Sequence, residues 1–295
     1  MTTALRMKRG YYLAIAAMTV ALLYLWQCHH ASAVNHPDWA LNQHYDIGKT
    51  FSIAGIEDNL SGLTFHPGND TLFATLNTPE TMIELSKEGE IIRRIKLDGF
   101  HDTESIDYLG NGLFVVSEER RRRLVFFSID SQTSQVNYSD TQSISLPGPG
   151  EENRGFEGVA WSARHGLFVL QEEPARMIHH QMHDAESLID NDLLNHALPR
   201  KVKDYAGISL LEGDEEKLLV LSEASHELHL MNLKGQPLSQ LSLRHGFMHL
   251  WPLMQQPEGI AVDSQGDIYI VGEPNQMLVL QRKVSAPTMS KHADT

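Results

Sequence analysis

The chain has almost no cysteine. Cys28 is the only one in 295 residues, so no disulfide can form within the chain, and packing and hydrogen bonds must hold the fold. Positive charge is scarce too: 24 Lys and Arg face 38 Asp and Glu, for a net −14. That balance disfavours a protein that tracks nucleic-acid phosphates, so no nucleic-acid partner is expected. The G-x-S-x-G elbow, the P-loop, H-E-x-x-H and the dinucleotide-binding fingerprint are all absent. At 41% hydrophobic and 21% charged residues, the composition is nonetheless that of a globular protein able to bury a core.

Long apolar runs are also missing, with one exception. Residues 11–27, YYLAIAAMTVALLYLWQ, carry no charge and follow Arg6, Lys8 and Arg9. The run is long enough for a short bilayer-spanning helix, and its basic flank should stay cytoplasmic. The reading is a cytoplasmic segment 1–10, a transmembrane anchor 11–27, a linker 28–44, a body 45–283 and a disordered tail 284–295. The body would lie in the periplasm, tethered to the inner membrane. Two alternatives stand beside it. The ASA at 31–33 resembles a signal-peptidase site, and Cys28 sits where a lipoprotein is acylated, although LWQC lacks the small residues that process needs. The terminal regions are neutral or slightly basic, which leaves the body with a net −16.

Within that body a motif recurs. Residues 60–77, 103–119, 156–173, 205–223 and 257–273 each place an acid or small residue before Gly or Ser. An alternating apolar strand, a polar turn and a second strand ending in Asn or Glu follow. A third strand comes after each. Gly62, Ser105, Gly158, Gly207 and Gly259 fall at spacings of 43, 53, 49 and 52 residues. Such a period, with three or four short strands per unit, predicts an all-β, five-bladed β-propeller. Residues 45–55 alternate like a strand without a partner and should close the ring as the outer strand of the last blade. Outer strands of other blades are predicted at 90–97, 141–147 and 237–243. A short surface helix is predicted at 185–194.

The repeats also align acids. In a propeller the first strand of each blade lines the channel and the second returns to the same face. Glu104, Glu157 and Glu258 share the first slot, where Ser61 and Ala206 stand in the other blades. Asn77, Glu118, Glu172, Glu223 and Glu273 share the second, and Asp204 lies close enough to supply the oxygen Ala206 lacks. Converging carboxylates must be protonated, solvated apart or neutralised. A hard divalent cation with oxygen ligands is the natural neutraliser, Ca²⁺ above all. Zinc is disfavoured because no Cys or His occupies a slot. The plainer alternative is that these acids cap blade turns, and the glycine that follows them has a plain use where strands crowd the axis.

Two other clusters carry less. In HHQMH, residues 179–183, a strand would turn His179 and His180 to opposite faces. The RRRR at 120–123 lies between two strands and reads as a solvated turn, with a salt bridge to the acids as its available role.

TESIDYLGNGLFVVSEE, GFEGVAW and PEGIAVDSQGDIYIVGEPN, behind one apolar segment, resemble the YjiK or SdiA-regulated family. The resemblance covers roughly residues 45–283. It implies a five-bladed propeller similar to NHL-repeat propellers, with a Ca²⁺ site, and gives no established role. It carries the metal role onto Glu104, Glu157 and Glu258, then Glu118, Glu172 and Glu273, while Ala206 departs from the pattern. Two functions compete. One is a membrane-anchored Ca²⁺-binding propeller that takes a protein or small-molecule ligand at its acidic face. The other is a Ca²⁺-dependent hydrolase of lactones or phosphoesters.

Overall fold

Short strands of alternating apolar residues pair with their sequence neighbours when tight turns join them. The computed structural model describes residue 12 and residues 15–22, 39–145, 155–171, 176–180, 193–196 and 204–283. There these pairs build five sheets, each a propeller blade. Blade 1 holds Leu60–His66, Thr71–Asn77, Glu80–Leu85 and Ile91–Asp98. Blade 2 holds Thr103–Gly110, Leu113–Glu118, Arg123–Ser128 and Gln142–Ser145. Blade 3 holds Phe156–Ser162, Gly166–Gln171, Arg176–His180 and Leu193–His196. Blade 4 holds Gly207–Leu211, Lys217–Ser222, Glu227–Asn232 and Pro237–Ser242. Blade 5 holds Gln256–Val262, Ile268–Glu273 and Gln276–Arg282.

Blade 5 is completed from the start of the body. Tyr45–Ile47 and Phe51–Ser52 both pair antiparallel with Gln276–Arg282, as the unpaired alternation predicts. Gly48 bridges the two pieces: its N–H donates to Val279 O at 2.9 Å. A Cβ there would lie 2.7 Å from that oxygen.

Among the described residues, one core cluster fills each seam between blades. Leu219, Leu221 and Leu230 of blade 4 meet Ile260, Ile270 and Leu278 of blade 5. Leu63 and Ile83 meet Tyr269 and Val271 across the seam of blades 5 and 1. The other three seams repeat the arrangement.

The structure departs from the sequence reading at three places. Residues 39–44, expected in the linker, belong to the packed body. Leu41 is 2% exposed, its N–H donates to Ser239 Oγ at 3.0 Å, and the Trp39 ring covers Lys217 Nζ at 3.6 Å. Gln135–Asn137 adds a parallel fifth strand to blade 1, reaching back from blade 2. Of the helix expected at 185–194, only Leu193 and Leu194 fall among the described residues, and they begin the outer strand of blade 3. No helix among the described residues is long and apolar enough to cross a membrane. Residues 12 and 15–22 of the apolar run are helical, and the remainder of that run lies outside the described residues.

The inner strands touch around the axis in blade order, so their backbones crowd. A Cβ on Gly259 would lie 2.2 Å from Ser61 O and 2.8 Å from Leu63 N, both backbone atoms of the next blade. One on Gly207 would lie 2.4 Å from Glu258 O. Gly259→Ala is therefore expected to cost about 3 kcal/mol in denaturant unfolding. Gly213→Ala, whose nearest neighbour would be 3.7 Å away, should stay within about 0.5 kcal/mol of the parent. Equal losses in both would show that the crowding is absent.

Candidate metal centre on the acidic face

Each first-slot residue sits in a β-bulge. The register slips between Thr103 and Ser105, between Phe156 and Gly158, and between Pro257 and Gly259. Glu104, Glu157 and Glu258 are thus the unpaired residues opposite one partner on the second strand. A bulge re-aims a side chain that the strand's alternation would otherwise place. The same happens in blade 4, where Ala206 and Gly207 both face Leu221.

Glu104 is the best defined of these acids. Its Oε2 accepts from Ser61 Oγ at 2.9 Å, and its Oε1 accepts from Asn77 Nδ2 at 3.0 Å. Burial raises its pKa above the usual carboxylate range, the charges of Asp102 and Glu273 add to the rise, and the two donors oppose it. Beside it lie Asp102 and Glu119, and one oxygen from each of the three carboxylates falls within 4.8 Å of the others. Burial pushes Glu119 up to about 7, the Gly155 N–H works against it, and the neighbouring Asp102 and Glu104 carboxylates add to the rise. Arg120 Nε lies 2.9 Å from Asp102 Oδ2 without the alignment of a hydrogen bond. Asn77 Oδ1 is buried in this neighbourhood with no hydrogen-bond partner.

The other sequence-predicted acids are dispersed around this cluster. Glu273 is raised by burial and by the charges of Asp58 and Glu223, so three acids face one another on that side. Glu157 and Glu258 are half-buried at their bulges. Glu118 turns away: its oxygens accept from His101 N–H at 2.8 Å and Tyr138 OH at 3.3 Å, and Arg121 lies 3.4 Å away. Alternation explains this, because Glu118 and Glu119 are neighbours and point to opposite sides. Asp204 is engaged in its own turn, accepting from Ser222 Oγ and from Ala224 N–H at 2.9 Å. Glu172 lies outside the described residues. Sequence reasoning missed Asp102 and Glu119. The doubled acid in SEE, residues 117–119, was the available signal for Glu119. Asp102 precedes the repeat in a left-handed conformation (φ 54°) that no periodicity marks.

The remaining clusters resolve as structure. The His179 ring stacks on Phe168 at 4.3 Å, with Nε2 2.7 Å from His165 O. Arg120–Arg122 form the turn before Arg123–Ser128, and Arg120 makes the salt bridge to the acids already described. A recess of about 310 Å³ adjoins the cluster, lined by Thr78, Glu80, His101, Asp102, Arg120 and Arg121. At the opposite end of the channel lies a cavity of about 610 Å³ with residues from all five blades, among them Thr64, Asp107, Trp161, Ser209 and Asp263. Asp107 there is raised by burial to about 6, although Thr64 Oγ1, Tyr108 N–H and Trp161 N–H all donate to it.

The SdiA-regulated profile matches residues 36–281, nearly the whole described body. The chain belongs to the SdiA-regulated family. Solved structures share its fold at low identity. A luciferin-regenerating enzyme is 14% identical with a TM-score of 0.50, covering 82% of this chain and 98% of its own. A gluconolactonase from Xanthomonas campestris is 11% identical with a TM-score of 0.50, covering 81% and 95%. At such identities the likeness speaks for the propeller alone.

Proposed function

We propose that this member of the SdiA-regulated family is a calcium-binding propeller that receives a ligand on its acidic face. It is held to the inner membrane by residues 11–27, with the body in the periplasm. The observation that carries the metal is the Asp102–Glu104–Glu119 group with the orphaned Asn77 Oδ1 beside it. These are all hard oxygen donors, suited to Ca²⁺ and poorly suited to zinc. Burial, with neighbouring carboxylates adding to it, raises the pKa of two of the three carboxylates, and a bound cation would favour their ionised forms. Glu104, Glu119 and Asp102 would hold the ion, and Glu273, Glu157 and Glu258 would shape the field around it. When bound, the ion supplies a Lewis-acidic centre.

Calorimetric titration with Ca²⁺ tests this. Glu104→Gln and Glu119→Gln are each expected to weaken binding at least about tenfold, roughly 1.4 kcal/mol. Uptake should release a proton from Glu119, read as a dependence of the heat on the buffer's ionisation enthalpy. Equal affinity in the parent and both variants would remove the site.

The recess beside Asp102 favours a second reading, a Ca²⁺-dependent hydrolase of lactones or phosphoesters. Arg120 and Arg121 would face an anionic substrate held next to the ion. Screening both substrate classes with Ca²⁺ and with chelator separates the two readings. Turnover that needs Ca²⁺ and falls in Arg121→Ala favours the enzyme.

A further inference from the structure

Outside residues 12–22, the large hydrophobic side chains exposed among the described residues are Ile47, Phe51, Ile92, Phe247, Leu250 and Trp251. They are not scattered. Ile47 and Phe51 lie on the outer strand of blade 5. Thr50, between them, donates its hydroxyl to Leu253 O at 2.6 Å, at the base of a ribbon formed by Arg244–His245 and Trp251–Pro252. Phe247 and Leu250 sit at the tip of that ribbon, 68% and 58% exposed. On the other side the Phe51 ring rests against Gly89 of blade 1, beside the strand that carries Ile92. One sector of the rim thus gathers every such residue.

The ribbon is a formed element. Gly246 has φ 78°, and a Cβ there would lie 2.3 Å from the Trp251 ring, so the indole lies across that backbone. His249 Nδ1 lies 3.1 Å from Arg244 O and closes the tip. Trp251 is nevertheless 53% exposed. Ordered aromatic and aliphatic groups at a rim, with a tryptophan among them, suit the boundary between lipid headgroups and acyl chains. Charge agrees: residues 45–52 and 244–252 hold Lys49 and Arg244 against Asp46 alone, on a chain of net −14. The point of attachment agrees as well. Trp39 and Leu41 are docked beside blade 4, so the chain leading back to the apolar run leaves from this same side of the propeller. Residues 28–38 can span at most about 38 Å, which keeps this side within reach of the bilayer.

We propose that this rim sector, formed by the Arg244–Pro252 ribbon with Ile47, Phe51 and Ile92, is a second contact with an anionic phospholipid bilayer. It seats the propeller edge-on, with Phe247, Leu250 and Trp251 in the interface. Both ends of the channel then stay open to solvent. The proposal rests on the anchor reading for residues 11–27.

The test uses the full chain in phosphatidylethanolamine/phosphatidylglycerol vesicles. Cys28→Ser provides the background for a spin label at Phe247→Cys, and a label at Ser131→Cys, on blade 2, is the control. The label at 247 is expected to be more accessible to oxygen than to an aqueous nickel chelate by several-fold over the control. Phe247→Ser/Leu250→Ser is expected to leave the folded chain on the membrane with greater rotational freedom of a label at position 51. Vesicle flotation reads the anchor separately. A chain that floats while its 247 label is as aqueous as the control overturns the rim contact and leaves the anchor standing. A chain lacking residues 11–27 that still floats, and loses this with the double substitution, supports the rim contact independently. A chain that floats in neither form overturns both.

Discussion

Deleting residues 39–52 is expected to abolish the folded propeller. The segment contributes Leu41 and Tyr45, both buried, to the seam of blades 4 and 5. Their loss alone removes roughly 5 kcal/mol of apolar burial. The main-chain bonds Gly48 N–H to Val279 O at 2.9 Å and Lys283 N–H to His44 O at 2.8 Å disappear with the strand ladder. Each is worth about 1 kcal/mol net. Domains of this kind have about 5–15 kcal/mol to lose, and the deletion also bares the Gln276–Arg282 edge to other chains. The truncated protein should aggregate or show no cooperative melt. A synthetic peptide of residues 39–52 should restore a transition in trans by strand addition. A soluble truncated protein melting within a few degrees of the parent would mean that the strand does not close the ring.

The second large effect is a pH dependence that calcium erases. Glu119 titrates near 7 in the fold against an ordinary 4.5, and Glu104 and Glu273 are raised too. A folded-state carboxyl pKa above its unfolded value favours folding while the group is protonated. That contribution is complete below the unfolded value and fades as pH rises through the folded one. In chelator, stability should therefore fall between about pH 4.5 and 7. Glu119 accounts for up to about 3 kcal/mol of that fall, or roughly 6–12 °C in melting temperature. Saturating Ca²⁺ should flatten the slope, because it holds the ionised carboxylates. Glu119→Gln should reduce it without calcium. What remains should be the fall from Glu104 and Glu273 and that from Asp107, between 3.8 and about 6, at the opposite end of the channel. Parallel slopes with and without calcium would show that the cluster holds no ion.

The repeats were legible because each blade must bury a two-sided apolar strand, and that requirement writes the same alternation five times. The glycines were legible for a related reason: at Gly207 and Gly259 the neighbouring blade's backbone occupies the place of a Cβ. Glu104 could be read from its slot. Glu119 and Asp102 were missed because both lie in turns just outside the strands that carry the repeat, Asp102 before Thr103–Gly110 and Glu119 after Leu113–Glu118. Glu118 held the slot in the pattern, yet one step of alternation gave its carboxylate to His101 and Tyr138. The parallel strand Gln135–Asn137 was hidden for another reason. It is three residues long, and its pairing joins segments that no local pattern connects.

The seal between Tyr45 and Arg282 gives the molecule a mechanical polarity. The strand that leads in and the strand that leads out end side by side, so a pull on residue 39 loads the ladder from one end. Its bonds then break in succession, as in a zipper, instead of sharing the load along their length. The Trp39 ring on Lys217 and the Leu41 N–H on Ser239 stand in front of that ladder and must yield first. Tension along the lead-in segment would thus open the propeller first at blade 5, and the rest of the ring would follow.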